Sequence, residues 1–177
     1  MSKPRRVFLV GLMGAGKTTI GRHLANTLGL RFVDSDDEII ARTGVEIPLI
    51  FEIEGESGFR SREQKVIDEL TQQADIVLAT GGGAVLDPIN RQHLNERGYV
   101  VYLRAPVHIL VHRTRRDRKR PLLHDCDPRT RLEDLYRQRD PLYREVADLV
   151  VDTDNHSLRQ VVAHICQQLT EHGYPAS

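Results

Sequence analysis

Apolar positions along the chain fall into two alternating rhythms. Short continuous apolar runs at 7–10, 32–33, 76–79, 100–103 and 149–151 have the length and composition of strands buried on both faces. Between them apolar residues recur with helical spacing. The last stretch is the clearest, with Leu158, Val161, Val162, Ile165 and Leu169 on one stripe. Alternation of this kind from end to end predicts an α/β fold, a three-layer sandwich around a mostly parallel sheet. Two segments depart from the repeat. One is 47–73, helical in pattern and preceded by 34–44. The other is 115–127, rich in charge and interrupted by Pro121. Both read as insertions over the functional edge of the sheet. No internal repeat, low-complexity tract or linker is visible, so a single domain over 1–177 is expected.

Composition narrows the class. Hydrophobic residues make up 40% and charged residues 28% of the 177, as in soluble globular proteins. The formal net charge is zero, so no global field draws the chain to nucleic acid or to a membrane. No apolar run approaches the ~20 residues that span a bilayer. Residues 1–6 pass straight into the first strand without the apolar core and small-residue cleavage site of a signal peptide, so the expected compartment is the cytoplasm. Cys126 and Cys166 lack metal or redox spacing and read as reduced, structural thiols.

The chemistry begins at 11–18, Gly-Leu-Met-Gly-Ala-Gly-Lys-Thr, which matches the phosphate-binding P-loop pattern. The context also matches: a strand precedes it and a helix over 17–28 follows. Gly11, Gly14 and Gly16 let the backbone curl, with Ala15 between them, so that successive N–H groups point at phosphate oxygens. The helix end adds its dipole next to Thr18 and Thr19. Lys17 is expected to reach the β- and γ-phosphates and the Thr18 hydroxyl to bind Mg²⁺. A P-loop also serves GTPase switches and motors. Here no Asn-Lys-x-Asp motif is present, and Thr80-Gly81-Gly82-Gly83 follows the third strand where a motor would place an aspartate. These absences point towards a small-molecule kinase.

The acceptor side is read at Asp34-Ser35-Asp36, at the end of the second strand. In open α/β sheets ligands sit beyond the carboxyl ends of strands. Asp34 and Asp36 are therefore candidates for work near Mg²⁺ and at the acceptor hydroxyl. The same residues also make an ordinary helix N-cap followed by an acidic first turn. Both readings stay open, with Asp37 and Glu38 assigned only to the helix start.

Asp34-x-Asp36, the Glu56-to-Glu63 stretch containing Phe59-Arg60, Gly81-Gly82-Gly83, Arg120-Pro121-Leu122-Leu123 and Arg139-Asp140-Pro141-Leu142-Tyr143 occur in this order. In this the chain resembles shikimate kinase along essentially its whole length. The resemblance implies a fold related to the nucleoside monophosphate kinases with a five-stranded parallel sheet. It implies ATP as donor, the 3-hydroxyl of shikimate as acceptor, and a step on the way to chorismate and the aromatic amino acids. Carried over by motif, Asp36, Arg60, Gly82 and Arg139 would hold shikimate, the first two from an acceptor-binding insertion at about 34–63. Arg120 would come from a mobile lid at about 113–127.

Residue chemistry agrees. Shikimate is a cyclic triol with one carboxylate, which Arg60 and Arg139 could take bidentately. Asp36 could accept from ring hydroxyls, and Gly82 would expose its backbone N–H. Glu63, one turn after Arg60, could orient that guanidinium. Taken singly, Arg60 with Glu63 and Arg139 in its charged run could equally be solvated faces, and 81–83 a mere turn.

The run from Arg113 to Arg120 is the densest positive segment. It could contact nucleic acid, face solvent, or close over the triphosphate as a lid that brings charge and excludes water. Arg120 is the lid catalyst, and Arg113 the candidate for packing against adenine. The resemblance places a further adenine contact near 153–157. His108 and His112 share a helix face, but no glutamate and no third ligand join them, so no zinc site is expected. The role of His124 cannot be read. Mg²⁺ is assigned to Thr18 and, through water, to Asp34. Lys17, Asp36 and Arg120 form the catalytic set. No nucleic-acid or membrane partner is expected, and a monomer is favoured. The rivals are a gluconate kinase of the same fold and a nucleotide-dependent nucleic-acid-binding module.

Overall fold

The computed structural model describes residues 5–115 and 127–174. Five strands, β1 Arg6–Val10, β2 Arg31–Asp34, β3 Ile76–Ala79, β4 Tyr99–Arg104 and β5 Leu149–Asp152, form one sheet in the order β2-β3-β1-β4-β5. Every neighbouring pair is parallel, with Leu9 opposite Ala79 on one side and Val101 on the other. The central strands β3, β1 and β4 supply much of the core, including Phe8, Leu9, Leu78, Val101 and Leu103. Covered on both faces, they have no polar face to present, hence their unbroken apolar runs. The edge strands β2 and β5 have one neighbour each and are partly exposed.

Seven helices connect and cover the strands: α1 Lys17–Leu28, α2 Ser35–Thr43, α3 Ile47–Leu70, α4 Pro88–Arg97, α5 Val107–Thr114, α6 Pro128–Val146 and α7 Leu158–Glu171. From β1 to β2 the chain moves toward one edge, and every later connection moves the other way. With right-handed crossovers this puts α1 on one face and α3, α4 and α6 on the other. The packing agrees, since α1 meets α7 while α4 touches both α3 and α6. Local signals fix the ends. Gly29 stops α1 in a left-handed conformation, φ 64°. Ser157 and Gln160 make a reciprocal capping box at the start of α7.

The segment 47–73, helical in pattern, is two helices meeting at Gly55, whose φ 72° and ψ 179° only glycine adopts readily. Across the break Phe51 and Phe59 stack with centroids 4.8 Å apart, and Arg62 donates to both Glu54 carboxylate oxygens at 2.8 and 2.7 Å. Helical spacing holds on either side of the corner, so periodicity alone cannot reveal it. The corner separates the first half of α3 from the half that carries Arg60 and Glu63.

Candidate active site

The P-loop leaves the central strand β1 and turns into α1. Gly11 is required by close approach, because a Cβ there would run into the Leu103 carbonyl of β4. Gly16 caps α1 in the left-handed region, φ 98°. The first turn of α1 holds no acidic residue, so its positive end is unopposed. Lys17 is buried, and its Nζ donates to the Gly11 and Leu12 carbonyls at 2.5 and 3.0 Å. The ammonium therefore lies across its own loop. Thr18 and Thr19 are exposed on the first turn.

Thr18 reaches sideways to β2, where its Oγ1 donates to Asp34 Oδ2 at 3.1 Å. The other Asp34 oxygen, Oδ1, accepts from the backbone N–H groups of Asp36 and Asp37 at 2.9 and 3.2 Å, capping α2. The capping and functional readings of Asp34 thus use different oxygens and do not compete. Asp37 is exposed and Glu38 pairs with Arg42.

The Gly81-Gly82-Gly83 turn after β3 is the meeting point of the remaining candidates. A Cβ at Gly81 would lie 2.8 Å from Asp36 Oδ1 and 2.9 Å from Glu63 Oε2. A Cβ at Gly82 would lie 3.5 Å from Arg139 Nη1 and 3.6 Å from the Met13 backbone nitrogen. A Cβ at Gly83 would overlap the Arg60 guanidinium, 2.5 Å from Nη1. So Asp36, Glu63, Arg60 and Arg139 surround three glycines that also border the P-loop. Arg60 Nη1 donates to Glu63 Oε1 at 2.8 Å, and Glu63 is 1% exposed. Arg139 is 2% exposed, and neither it nor the Arg60–Glu63 pair is a solvated surface feature. Arg137, two residues earlier, is exposed.

This cluster carries electrostatic tension. Burial pulls the Arg139 guanidinium down, Arg60 adds like-charge repulsion, and the Tyr143 phenol opposes both. Burial pushes the Glu63 carboxyl up, against the attraction of Arg60 and then Arg139. Arg60 Nε, Arg139 Nε and Glu63 Oε2 are buried without a hydrogen-bond partner among the described residues. A buried guanidinium and a half-buried one, each with a spare buried Nε donor beside one carboxylate, form a site suited to a small anion. Gly83→Ala should therefore push the Arg60 guanidinium off Glu63. The expected result is an acceptor KM raised about tenfold with nucleotide affinity unchanged, read by steady-state kinetics varying each substrate in turn.

Three contributors escaped sequence reasoning. Ser35 is fully buried, and its Oγ accepts from Gly81 N at 3.0 Å. Gly83 makes room for Arg60. Tyr143 donates to the Gly82 carbonyl and is pushed up to about 12 by burial, so it stays protonated. The available signal was position: Ser35 lies between the two carboxylates, Gly83 ends the glycine run, and Tyr143 lies one turn after Arg139.

On the other side of the P-loop, Ala15, Gly16, Thr19, Arg113, Thr153 and His156 help line a cavity of about 270 Å³. Arg113 Nη1 donates to Gly14 O at 3.1 Å and toward Thr153 Oγ1 at 3.5 Å, joining the P-loop to the loop before α7. His108 and His112 are exposed on α5. Arg120, Pro121, His124 and Cys126 lie outside the described residues.

A sequence model of shikimate kinases matches residues 13–170. A shikimate kinase of Halorhodospira halophila is 60% identical over 166 residues, covering 94% of each chain. One of Methylococcus capsulatus is 56% identical over 173 residues, 98% of this chain and 97% of its own. The solved structure of the Acinetobacter baumannii shikimate kinase in complex with shikimate superposes with a TM-score of 0.94 at 50% identity, covering 97% of this chain and 96% of that one. With its five parallel strands, its P-loop and the cluster around Gly81–Gly83, the chain belongs to the shikimate kinase family.

Proposed function

We infer that this chain transfers the γ-phosphoryl group of ATP to the 3-hydroxyl of shikimate, giving shikimate 3-phosphate and ADP on the route to chorismate and the aromatic amino acids. One observation carries the assignment of roles. At Gly82 the P-loop backbone and the Arg139 guanidinium come within 3.6 Å of the same point. A donor phosphate and an acid-bearing acceptor can therefore meet there.

Arg60 and Arg139 take the shikimate carboxylate, Gly82 offers its N–H, and Asp36 accepts from the ring hydroxyls and fixes the attacking oxygen. A loose transition state leaves a general base little to do early, so the main task of Asp36 is orientation. Lys17 and Arg120 offset charge on the phosphoryl group in flight. Gly14, Ala15, Gly16 and Thr19 frame the phosphates, and Arg113 packs against the adenine. Thr18 Oγ1 and Asp34 Oδ2 are hard oxygen donors 3.1 Å apart, a set suited to Mg²⁺ completed by water and phosphate oxygens. Bound there, with Asp34 acting through water, Mg²⁺ would neutralise charge shared by the β- and γ-phosphates. The insertion at about 34–63 serves the acceptor, and the segment at about 113–127 serves as lid. A cytoplasmic monomer goes with this reading, and the zero net charge supports the absence of a nucleic-acid partner. Among the described residues no helix is long and apolar enough to cross a membrane.

ADP release with Mg²⁺-ATP tests the reading, comparing shikimate, gluconate, nucleoside monophosphates and no acceptor. Turnover with shikimate alone is expected. Arg60→Ala and Arg139→Ala should each lower kcat/KM for shikimate about a hundredfold while ATP binding is kept. Activity with gluconate instead would remove the substrate and leave the kinase. Silence with every acceptor, together with RNA affinity at physiological salt, would favour the binding-module rival.

A further inference from the structure

We propose that Tyr143 is a positioning residue that locks the Gly82 peptide and the Arg139 guanidinium into one unit facing the acceptor. Its ring is fully buried on α6 and packs on Tyr102 with centroids 4.9 Å apart, so the hydroxyl has one place to be. That hydroxyl donates to the Gly82 carbonyl, and it stands beside the Arg139 guanidinium, whose positive charge it favours. A single oxygen thus holds one of the groups assigned to shikimate and lies beside another.

The geometry gives the bridge a purpose. A glycine run is the most freely rotating peptide the chain can use, because no Cβ restrains it. Fixing the carbonyl after Gly82 restrains the turn that also carries the Gly82 N–H. On the other flank Ser35 Oγ accepts from Gly81 N at 3.0 Å, so the turn is held from α2 and from α6. Asp36 follows Ser35 directly, and Arg139 lies one helical turn before Tyr143. The two hydroxyls therefore tie the turn to the two elements that carry the acceptor-facing carboxylate and guanidinium. Pro141, between Arg139 and Tyr143, removes one helix donor within the same turn.

Losing the Tyr143 hydroxyl would leave the part-buried Gly82 carbonyl short of a donor and take the phenol oxygen from beside Arg139, with the ring's packing untouched. The inference rests on the acceptor-site assignment, and its test separates the two. Tyr143→Phe, Ser35→Ala and Arg139→Ala are compared with the parent by varying shikimate and ATP separately, with Tm measured on each. In Tyr143→Phe the shikimate KM should rise about tenfold, with the ATP KM unchanged and kcat within about threefold of the parent. Ser35→Ala should shift the same constant in the same direction and decides the matter if Tyr143→Phe does not fold. An unchanged shikimate KM in the variant that folds, with Arg139→Ala impaired, overturns the positioning role and leaves the acceptor site standing. An unchanged KM in Arg139→Ala as well overturns the acceptor-site assignment and the inference with it. A parallel rise in the ATP KM would mean general loosening and also overturns the proposal.

Discussion

Lys17→Ala lowers kcat by about a hundred- to a thousandfold and leaves the fold in place; this is the expected result of single-turnover and steady-state ADP-release measurements. Lys17 begins the helix that follows the P-loop, and it is the buried cation of that loop. Its Nζ is held by the Gly11 and Leu12 carbonyls at 2.5 and 3.0 Å, so the charge is already desolvated and placed. A preorganised charge of this kind is worth most where negative charge accumulates in the transition state. Removing it costs two hydrogen bonds in the folded protein, about 1–2 kcal/mol, against a larger loss at the transition state. The discriminating comparison is therefore kcat against Tm. A fall in kcat below about tenfold would place the charge stabilisation elsewhere, on Arg120 first.

Glu63→Ala should be almost as severe, for a different reason. Glu63 touches neither donor nor acceptor in the roles proposed above. It holds Arg60 at 2.8 Å and lies beside Gly81. Without it Arg60 and Arg139 are two guanidiniums facing each other across a poorly solvated space. Breaking a buried pair from one side typically costs about 3 kcal/mol, which in a chain of this size lowers Tm by about 6–12 °C. The shikimate KM should rise about a hundredfold as Arg60 leaves its position. Glu63→Gln separates the two effects. It keeps an acceptor for Arg60, and burial already opposes ionisation of Glu63. It should therefore recover most of the stability and only part of the affinity. Equal loss in Gln and Ala variants would mean that the charge itself, rather than the hold on Arg60, is what the site needs. Unchanged shikimate kinetics in Glu63→Ala would exclude any part for Glu63 in binding.

Local chemistry wrote much of this protein into its sequence. The P-loop needs glycines at fixed spacing because the backbone itself binds phosphate, so the motif is contiguous and readable. The central strands, buried on both faces, must be apolar throughout, and the edge strands keep short apolar runs, so all five could be located within a residue or two at each end. The α7 stripe and the glycine stops of α1 and α2 follow from helix geometry in the same way. The Gly55 corner was different, since apolar spacing continues on both sides and only the backbone angles reveal the break.

The acceptor site was legible as a list of residue types and illegible as an arrangement. Arg60 and Glu63, three apart, could have been a surface pair, and Arg139 shares its run with the exposed Arg137. Burial decided both, and burial depends on which elements pack together. The glycine turn looked like a turn until side chains from α2, α3 and α6 were found filling the space its missing Cβ atoms leave. Ser35 and Tyr143 bond partners 46 and 61 residues away, separations at which no periodicity survives. The sequence by itself therefore determined the layers, the phosphate loop and the identity of the charged groups, because each depends on neighbours along the chain. Only the tertiary structure decided which charges are desolvated, which hydroxyls hold the glycine turn and where the P-loop meets the guanidinium cluster, because those depend on neighbours across the sheet edge.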